Sequence, residues 1–238
     1  MERPAHVEAT ASKDGKAKAG WRESKWLALV ELLLVALIFV ADAHHLIFFS
    51  KTPYLGALGW ISLRIRRTGW RAVGMTVYRS WKKTILLGVL VGVGLEAIEL
   101  FITQPFLVRV LHQQPDLSVF NSVAGNWKLA LIFIGLSWTL AAFGEEMVYR
   151  GYLMNRVAGL LKKSRAAWIV SLIAVHVGFG FAHAYQGVTG IIDEGFMGLL
   201  LGLVYLRTRR SLAVPIVAHG VSDSIDVMLM FLKMYPGM

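Results

Sequence analysis

Long apolar runs separated by short polar stretches dominate the chain after residue 25. A run of about 20 apolar residues is long enough to cross the hydrocarbon core of a bilayer as a helix. The pattern predicts membrane spans at 26–49, 52–64, 84–106, 127–155, 166–185, 190–206 and 212–232. The second is short for a full crossing. We therefore expect an all-α fold, a polytopic transmembrane helical bundle of about seven spans.

Basic residues are concentrated in alternate loops. Most of the 25 Lys and Arg residues lie in the segments 1–25, 64–83, 156–165 and 207–210. Since inner loops carry the excess of positive charge, the amino terminus is predicted to be cytosolic. Residues 1–25 are predicted to form a disordered cytosolic basic tail, and residues 26–238 a single membrane domain. We expect an integral, multi-pass protein of a bacterial inner (cell) membrane.

The composition narrows the possible functions. The chain is 56% hydrophobic with a mean hydropathy of +0.56, which is typical of a membrane protein and not of a soluble domain. Its net charge of +10 is spread over short loops, which argues against a nucleic-acid partner and favours contact with the lipid bilayer. The absence of cysteine excludes disulfides, thiolate metal ligands and a cysteine nucleophile.

Three ionisable residues lie close together inside the predicted span 127–155. Glu146 and Arg150 are four residues apart, so on an α-helix they share a face and can form an ion pair. Glu145 is rotated away by about 100° and is free for another role, such as that of a general base. The same cluster could instead only lock two helices together.

Two further spans each present a histidine. His183 ends the sequence Phe179-Gly-Phe-Ala-His, and His219 precedes Asp223 by four residues, so these two share a helical face. A lone histidine in a membrane is often an interhelical hydrogen-bond partner, but three spans with such groups predict a polar cavity. Counting helical rise from the basic loops places His183 deeper than Glu145 and His219. Either its helix is tilted, or the polar stretch 185–194 folds back into the cavity.

Glycines recur on two of the predicted spans. They are Gly88, Gly92 and Gly94 on one span, and Gly195, Gly198 and Gly202 on another. Small residues allow helix backbones to approach closely in a membrane, so the glycines predict helix packing. Glu96 and Glu99 share a face of the first of these spans and either line the same cavity or pair with another span.

The charged residues form three motifs in order on separate apolar segments: Glu-Glu-xxx-Arg, Phe-xxx-His and His-xxx-Asp. The motif residues are Glu145, Glu146 and Arg150, then Phe179 and His183, then His219 and Asp223. This set resembles that of the CAAX-protease and bacteriocin-processing (CPBP) family, which includes the type II CAAX prenyl endopeptidases. The resemblance covers roughly residues 127–226, which we take as the predicted catalytic core.

The resemblance implies an intramembrane glutamate-type endopeptidase, a hydrolase that cleaves membrane-associated peptides or proteins. Its implied catalytic residues are Glu145 and His183, which activate water, and His219 and Asp223, which stabilise the oxyanion. Glu146 and Arg150 support the geometry of the site. The family pattern assigns no substrate-binding residue here, and the residues that contact a peptide or protein substrate within the membrane stay unknown.

Two features of the motifs leave chemical alternatives open. Asp223 stands where many family members have Asn. An ionised Asp cannot donate a hydrogen bond to an oxyanion, so it must be protonated or orient His219. The carboxylates and histidines are also ligands that zinc accepts, although no His-Glu-xx-His spacing is present. The family resemblance favours a metal-free site without a cofactor.

Two other classes of function compete with the protease. Buried carboxylates and histidines also mark the ion paths of proton-coupled transporters, although the sequence contains no internal repeat of the kind that carriers often show. A non-catalytic scaffold or immunity-type protein could keep the fold without the activity. A cleavage assay separates these classes.

Overall fold

The computed structural model describes residues 20–237, so most of the predicted tail 1–25 lies outside the described residues. Within this range the regular elements are helices. They are α1 (Lys25–Ala43), α2 (Lys51–Ile65), α3 (Trp81–Ile98), α4 (Gln104–Leu111), α5 (Trp127–Leu136), α6 (Met154–Leu160), α7 (Arg165–Ala182), α8 (Gly187–Arg207) and α9 (Ala213–Phe231). The π-helices Glu99–Thr103 and Ser137–Leu153 join α3 to α4 and α5 to α6. The predicted all-α helical bundle is confirmed.

Six helices among the described residues are long and apolar enough to cross a membrane. They are Lys25–Ala43, Trp81–Leu111, Trp127–Leu160, Arg165–Ala182, Ala184–Arg207 and Ala213–Phe231. The remaining predicted span, 52–64, is the 15-residue α2. At about 1.5 Å per residue it reaches about 22 Å, which is less than the roughly 30 Å core of a bilayer. The prediction of about seven spans is therefore corrected to six, with α2 packed against the π-helix Ser137–Leu153.

Polar side chains cap the starts of several helices. Ser24, Ser50, Ser80, Asn126 and Ser164 each accept a hydrogen bond from a backbone N–H in the first turn that follows. These N–H groups have no partner inside the helix, so each cap contributes about 1 kcal/mol. The sequence thereby fixes where α1, α2, α3, α5 and α7 begin.

Glycines allow two helix pairs to approach closely. Between α3 and α9, a Cβ atom added at Gly92 would lie 2.5 Å from the carbonyl oxygen of Ala218. Between α7 and α8, a Cβ atom added at Gly202 would lie 2.4 Å from the ring of His176. Similar interhelical contacts surround Gly88, Gly195 and Gly198. These glycines occupy packing positions, whereas a Cβ atom at Gly94 would meet nothing within 4 Å.

This difference predicts opposite effects for two neighbouring substitutions. We expect Gly92→Ala to destabilise the protein by about 1–3 kcal/mol, because the α9 backbone at Ala218 cannot move aside as a flexible side chain could. Gly94→Ala adds the same methyl group to the same helix in open space and should gain about 0.5–1 kcal/mol from helix propensity. Unfolding of both variants in detergent micelles measures the difference. Equal stabilities would show that α3 and α9 are not packed as described.

Candidate active site

Two adjacent glutamates enter the bundle on a π-helix. The segment Ser137–Leu153 contains 17 residues with π-helical hydrogen bonding, in which each N–H reaches the carbonyl five residues back. The sequence predicted an ordinary α-helix here, so the expected 100° between Glu145 and Glu146 does not apply. Glu146 is fully buried, whereas Glu145 is partly exposed and lines a cavity. π-Helical turns are frequent at functional sites.

The Glu146 carboxylate contacts two donors at once. Its Oε1 accepts a hydrogen bond from Arg150 Nη1 at 2.7 Å and lies 2.9 Å from His219 Nδ1. The ion pair predicted between Glu146 and Arg150 is thus present, although the backbone here is π-helical and not α-helical. Because a carboxylate oxygen only accepts, Nδ1 of His219 is the donor of this bond. Glu146 thus links the π-helix to α9 and fixes the orientation of the His219 ring.

Arg150 is fully buried beside Glu146 and has two further contacts. Its Nη2 donates to the carbonyl oxygen of Gly198 on α8 at 2.8 Å. Its guanidinium carbon lies 4.9 Å from the centre of the Phe179 ring. Arg150 therefore contacts α7 and α8 as well as its own helix. Phe179, the first residue of the Phe-xxx-His motif, also lies 4.7 Å from the ring of His183, measured between ring centres.

His219 and Asp223 lie one turn apart on α9 and contact each other. His219 Nε2 is 3.4 Å from Asp223 Oδ1. The imidazole therefore lies between two carboxylates, with Glu146 at Nδ1 and Asp223 at Nε2. Of the two roles that the sequence left open for Asp223, this contact favours orientation of His219.

His183 follows the last residue of α7. Its Nδ1 lies 3.0 Å from the carbonyl oxygen of Phe179, which can only accept, so Nδ1 donates and Nε2 is left as an acceptor in the neutral ring. The neighbouring carbonyl of Ala182 accepts a hydrogen bond from Lys51 Nζ at 3.0 Å. Lys51 also pairs with Asp42 at 2.8 Å, so the end of α7 is held by the first residue of α2 and the last turn of α1.

The four predicted catalytic residues line one cavity of about 350 Å³; they are Glu145, His183, His219 and Asp223. They come from the π-helix, the end of α7 and α9, which are distant in sequence. The two predicted supporting residues, Glu146 and Arg150, are fully buried behind His219. A polar cavity among apolar helices provides space for water and for an extended peptide segment.

The cavity lies at the end of the bundle opposite the basic loops. Its lining includes Ser50 between α1 and α2, Pro115 after α4, and Tyr185 between α7 and α8. Counting helical rise from the basic loops placed His183 farther from those loops than Glu145. Both residues can still line one cavity, because the cavity extends to the loops at the opposite end of the bundle. The stretch 185–194 is not an irregular loop folded inward; it is a 3-10 turn followed by the start of α8.

Hydrogen bonds between loops hold part of the cavity rim. The Asp116 N–H donates to the carbonyl of Gln186 at 2.9 Å, and the Thr189 hydroxyl donates to the carbonyl of Gln113 at 2.8 Å. The Ser118 hydroxyl, together with the Ser118 N–H, holds the pKa of the Asp116 carboxyl below its usual range. The rim therefore carries a fixed negative charge at neutral pH.

Several acidic residues line the cavity besides the motif residues. Glu99 takes the first of the two places that the sequence left open for it, and Asp193, Glu194 and Asp226 had been assigned no role. Asp226 follows His219 by seven residues, a spacing that puts both on the same face of α9 and could have indicated its position. Asp193 and Glu194 belong to the polar stretch before the apolar part of α8, and their place on the cavity wall depends on how α8 packs.

The donor set does not fit a zinc site. Among residues 20–237, no three His, Asp or Glu side chains are grouped so that they could hold a metal ion. Glu146 Oε1 is already bonded to a guanidinium at 2.7 Å, whose positive charge opposes a metal cation at the same oxygen.

The fold and site define a class: a multi-pass integral membrane protein with a cavity lined by carboxylates and histidines. The family model of Type II CAAX prenyl endopeptidase Rce1-like proteins matches residues 126–225. The match supports the resemblance to the CAAX-protease and bacteriocin-processing family that the motifs indicated, and it supports a CAAX-protease-like hydrolase. No curated protein and no solved structure matches the chain.

Proposed function

We propose that this protein is a metal-free, glutamate-type intramembrane endopeptidase that cleaves peptide bonds of membrane-associated peptides or proteins. The observation that carries the proposal is the presence of Glu145, His183, His219 and Asp223 on the wall of one cavity. Transfer of an acyl group to water needs at least a general base, a second side chain that binds the attacking water, and a positioned cationic group. The family match is consistent with this chemistry.

In the proposed reaction, a water molecule lies between the Glu145 carboxylate and Nε2 of His183. Glu145 takes one proton while the water oxygen attacks the carbonyl carbon of the scissile bond, which gives a tetrahedral oxyanion. When that intermediate collapses, the C–N bond breaks and the Glu145 carboxyl returns its proton to the leaving amine. The products are a carboxylic acid and an amine, and Glu145 is ionised again.

His219 is proposed to stabilise the oxyanion. Glu146 holds Nδ1 of His219 and Asp223 Oδ1 lies 3.4 Å from Nε2. In the doubly protonated ring, the Nε2–H would turn from Asp223 to the oxyanion as that charge develops. Arg150 compensates the charge of the buried Glu146 carboxylate. Asp223 acts as an acceptor that orients the ring, since an ionised carboxylate has no hydrogen to donate.

The proposal is tested with the purified full-length protein and a library of membrane-associated peptides, using mass spectrometry to detect new termini. We expect cleavage that is unchanged by a chelator of divalent cations. Loss of cleavage with chelator and its return with zinc would overturn the metal-free mechanism. If no peptide is cleaved, proton-coupled transport in proteoliposomes and a non-catalytic scaffold or immunity-type role become the functions to test.

Asp223 gives a sharper test of the assigned roles. Asp223→Asn keeps an oxygen acceptor for His219, so cleavage should stay within about tenfold of the parent protein. Asp223→Leu removes the acceptor while keeping a similar volume, and should lower the rate by about 100-fold. Initial rates at saturating peptide measure both effects. If the Leu variant cleaves as fast as the Asn variant, Asp223 does not orient His219.

A further inference from the structure

Four arginines surround an open hollow between α7 and the turn that follows α8. The hollow has a volume of about 700 Å³ and is lined by Arg165, Trp168, Ile169, Leu206, Arg207, Arg209 and Arg210. Its lining contains basic and apolar side chains and no acidic one. We call these four arginines and the space between them the arginine hollow. It lies at the end of the bundle that carries the basic loops, away from the catalytic cavity.

Among residues 20–237, no carboxylate is paired with any of the four arginines. The ion pairs in this part of the chain involve other cations. Four like charges around one space favour the binding of an anion between them. Guanidinium groups bind phosphate with two parallel hydrogen bonds, which makes phosphate the fitting anion.

The turn that presents two of the arginines is held in place by the core. The Arg210 N–H donates to the carbonyl of Tyr205 at 2.8 Å, and the Leu212 N–H donates to the carbonyl of Gly74 at 2.8 Å. The Arg210 guanidinium carbon lies 4.9 Å from the ring centre of Trp168 on α7. The backbone of the turn and the Arg210 guanidinium are therefore positioned before a ligand arrives, which lowers the entropic cost of binding.

The apolar surroundings indicate that the phosphate belongs to a lipid. Ile169 and Ile173 are four residues apart on α7, so they form an apolar stripe that leads from the hollow along a membrane-spanning helix. Both side chains are about half exposed. A soluble phosphate would use only the arginines, whereas a phospholipid would also place an acyl chain on this stripe.

We propose that the arginine hollow binds the headgroup phosphate of an anionic phospholipid, with an acyl chain along the Ile169 and Ile173 stripe of α7. The lipid phosphate supplies negative charge that balances the arginines around the turn after α8. The site is separate from the catalytic cavity and does not depend on the proposed protease activity.

The test is native mass spectrometry of the purified full-length protein with phosphatidylglycerol and, separately, phosphatidylcholine. We expect the parent protein to retain phosphatidylglycerol in preference to phosphatidylcholine. Arg209→Gln/Arg210→Gln should weaken this binding about 30-fold, because each basic group near a lipid surface contributes about a fivefold factor in affinity. Arg209→Lys/Arg210→Lys keeps the charge but not the planar fork and should give an intermediate affinity.

A matched control removes the same charge elsewhere at the same end of the bundle. Arg71 and Arg79 are exposed in the basic loop after α2, and Arg79 lies over the Tyr78 ring much as Arg210 lies over Trp168. Arg71→Gln/Arg79→Gln should weaken binding less than about fivefold. Equal losses in the two double variants would overturn the site in favour of general surface charge. Displacement of the lipid by millimolar inorganic phosphate would overturn the choice of a lipid in favour of a soluble anion.

Discussion

Replacing Glu145 by Gln is expected to lower the rate of peptide cleavage by about 1,000-fold, because a neutral amide cannot take a proton from the attacking water. The substitution keeps the size and shape of the side chain. Glu145 has no hydrogen bond or ion pair to the described residues, so the fold should be retained. Initial rates with a peptide found in the library assay, together with thermal unfolding, measure the two effects.

Glu99→Gln is the matched control for this experiment. Glu99 also lines the cavity but lies on the π-helix after α3 and has no proposed role in the reaction. Its substitution should leave the rate within about tenfold of the parent protein, since no proton transfer depends on it. If Glu99→Gln and Glu145→Gln lower the rate equally, the cavity needs its total negative charge, and Glu145 is not the specific base.

Arg150→Met is expected to destabilise the protein by about 3–5 kcal/mol. The substitution roughly preserves the volume of the aliphatic stem but leaves Glu146 as a fully buried carboxylate with only His219 as partner. It also removes the hydrogen bond to Gly198 and the contact with Phe179. Unfolding in mixed detergent and sodium dodecyl sulfate micelles measures the loss.

The double variant Glu146→Leu/Arg150→Met separates the charge from the packing. With both charges absent, no ion is left uncompensated, so at least half of the lost stability should return. Cleavage should stay low in this variant because His219 has lost its partner at Nδ1. A double variant no more stable than Arg150→Met would show that the contacts of Arg150 with α7 and α8, and not its charge, stabilise the bundle.

The helix bounds show how much of the fold local sequence patterns predict. Serine or asparagine caps mark where several helices begin, and the apolar run at 212–232 predicted both ends of α9 to within one residue. The run at 26–49 predicted the start of α1 equally well, but α1 ends at Ala43, six residues earlier than predicted. The run at 52–64 was wrongly predicted as a span, because composition alone does not separate a crossing helix from the 15-residue α2 packed against its neighbour. The change from α- to π-helical winding around Glu145 is another feature that hydropathy does not encode, since hydropathy records which residues are apolar and not how the backbone hydrogen bonds are spaced.

By itself, the sequence determined the class of fold, the motif residues and the pairing of neighbours four residues apart, because hydropathy and helical periodicity are local properties. Only the tertiary structure decided that Glu146 reaches His219, that Phe179 covers Arg150 and that the acidic residues of α8 line the same cavity as Glu145 and His183. These contacts join residues from separate helices. They depend on how the helices cross and on the glycines that let them approach, and no spacing along the chain specifies that geometry.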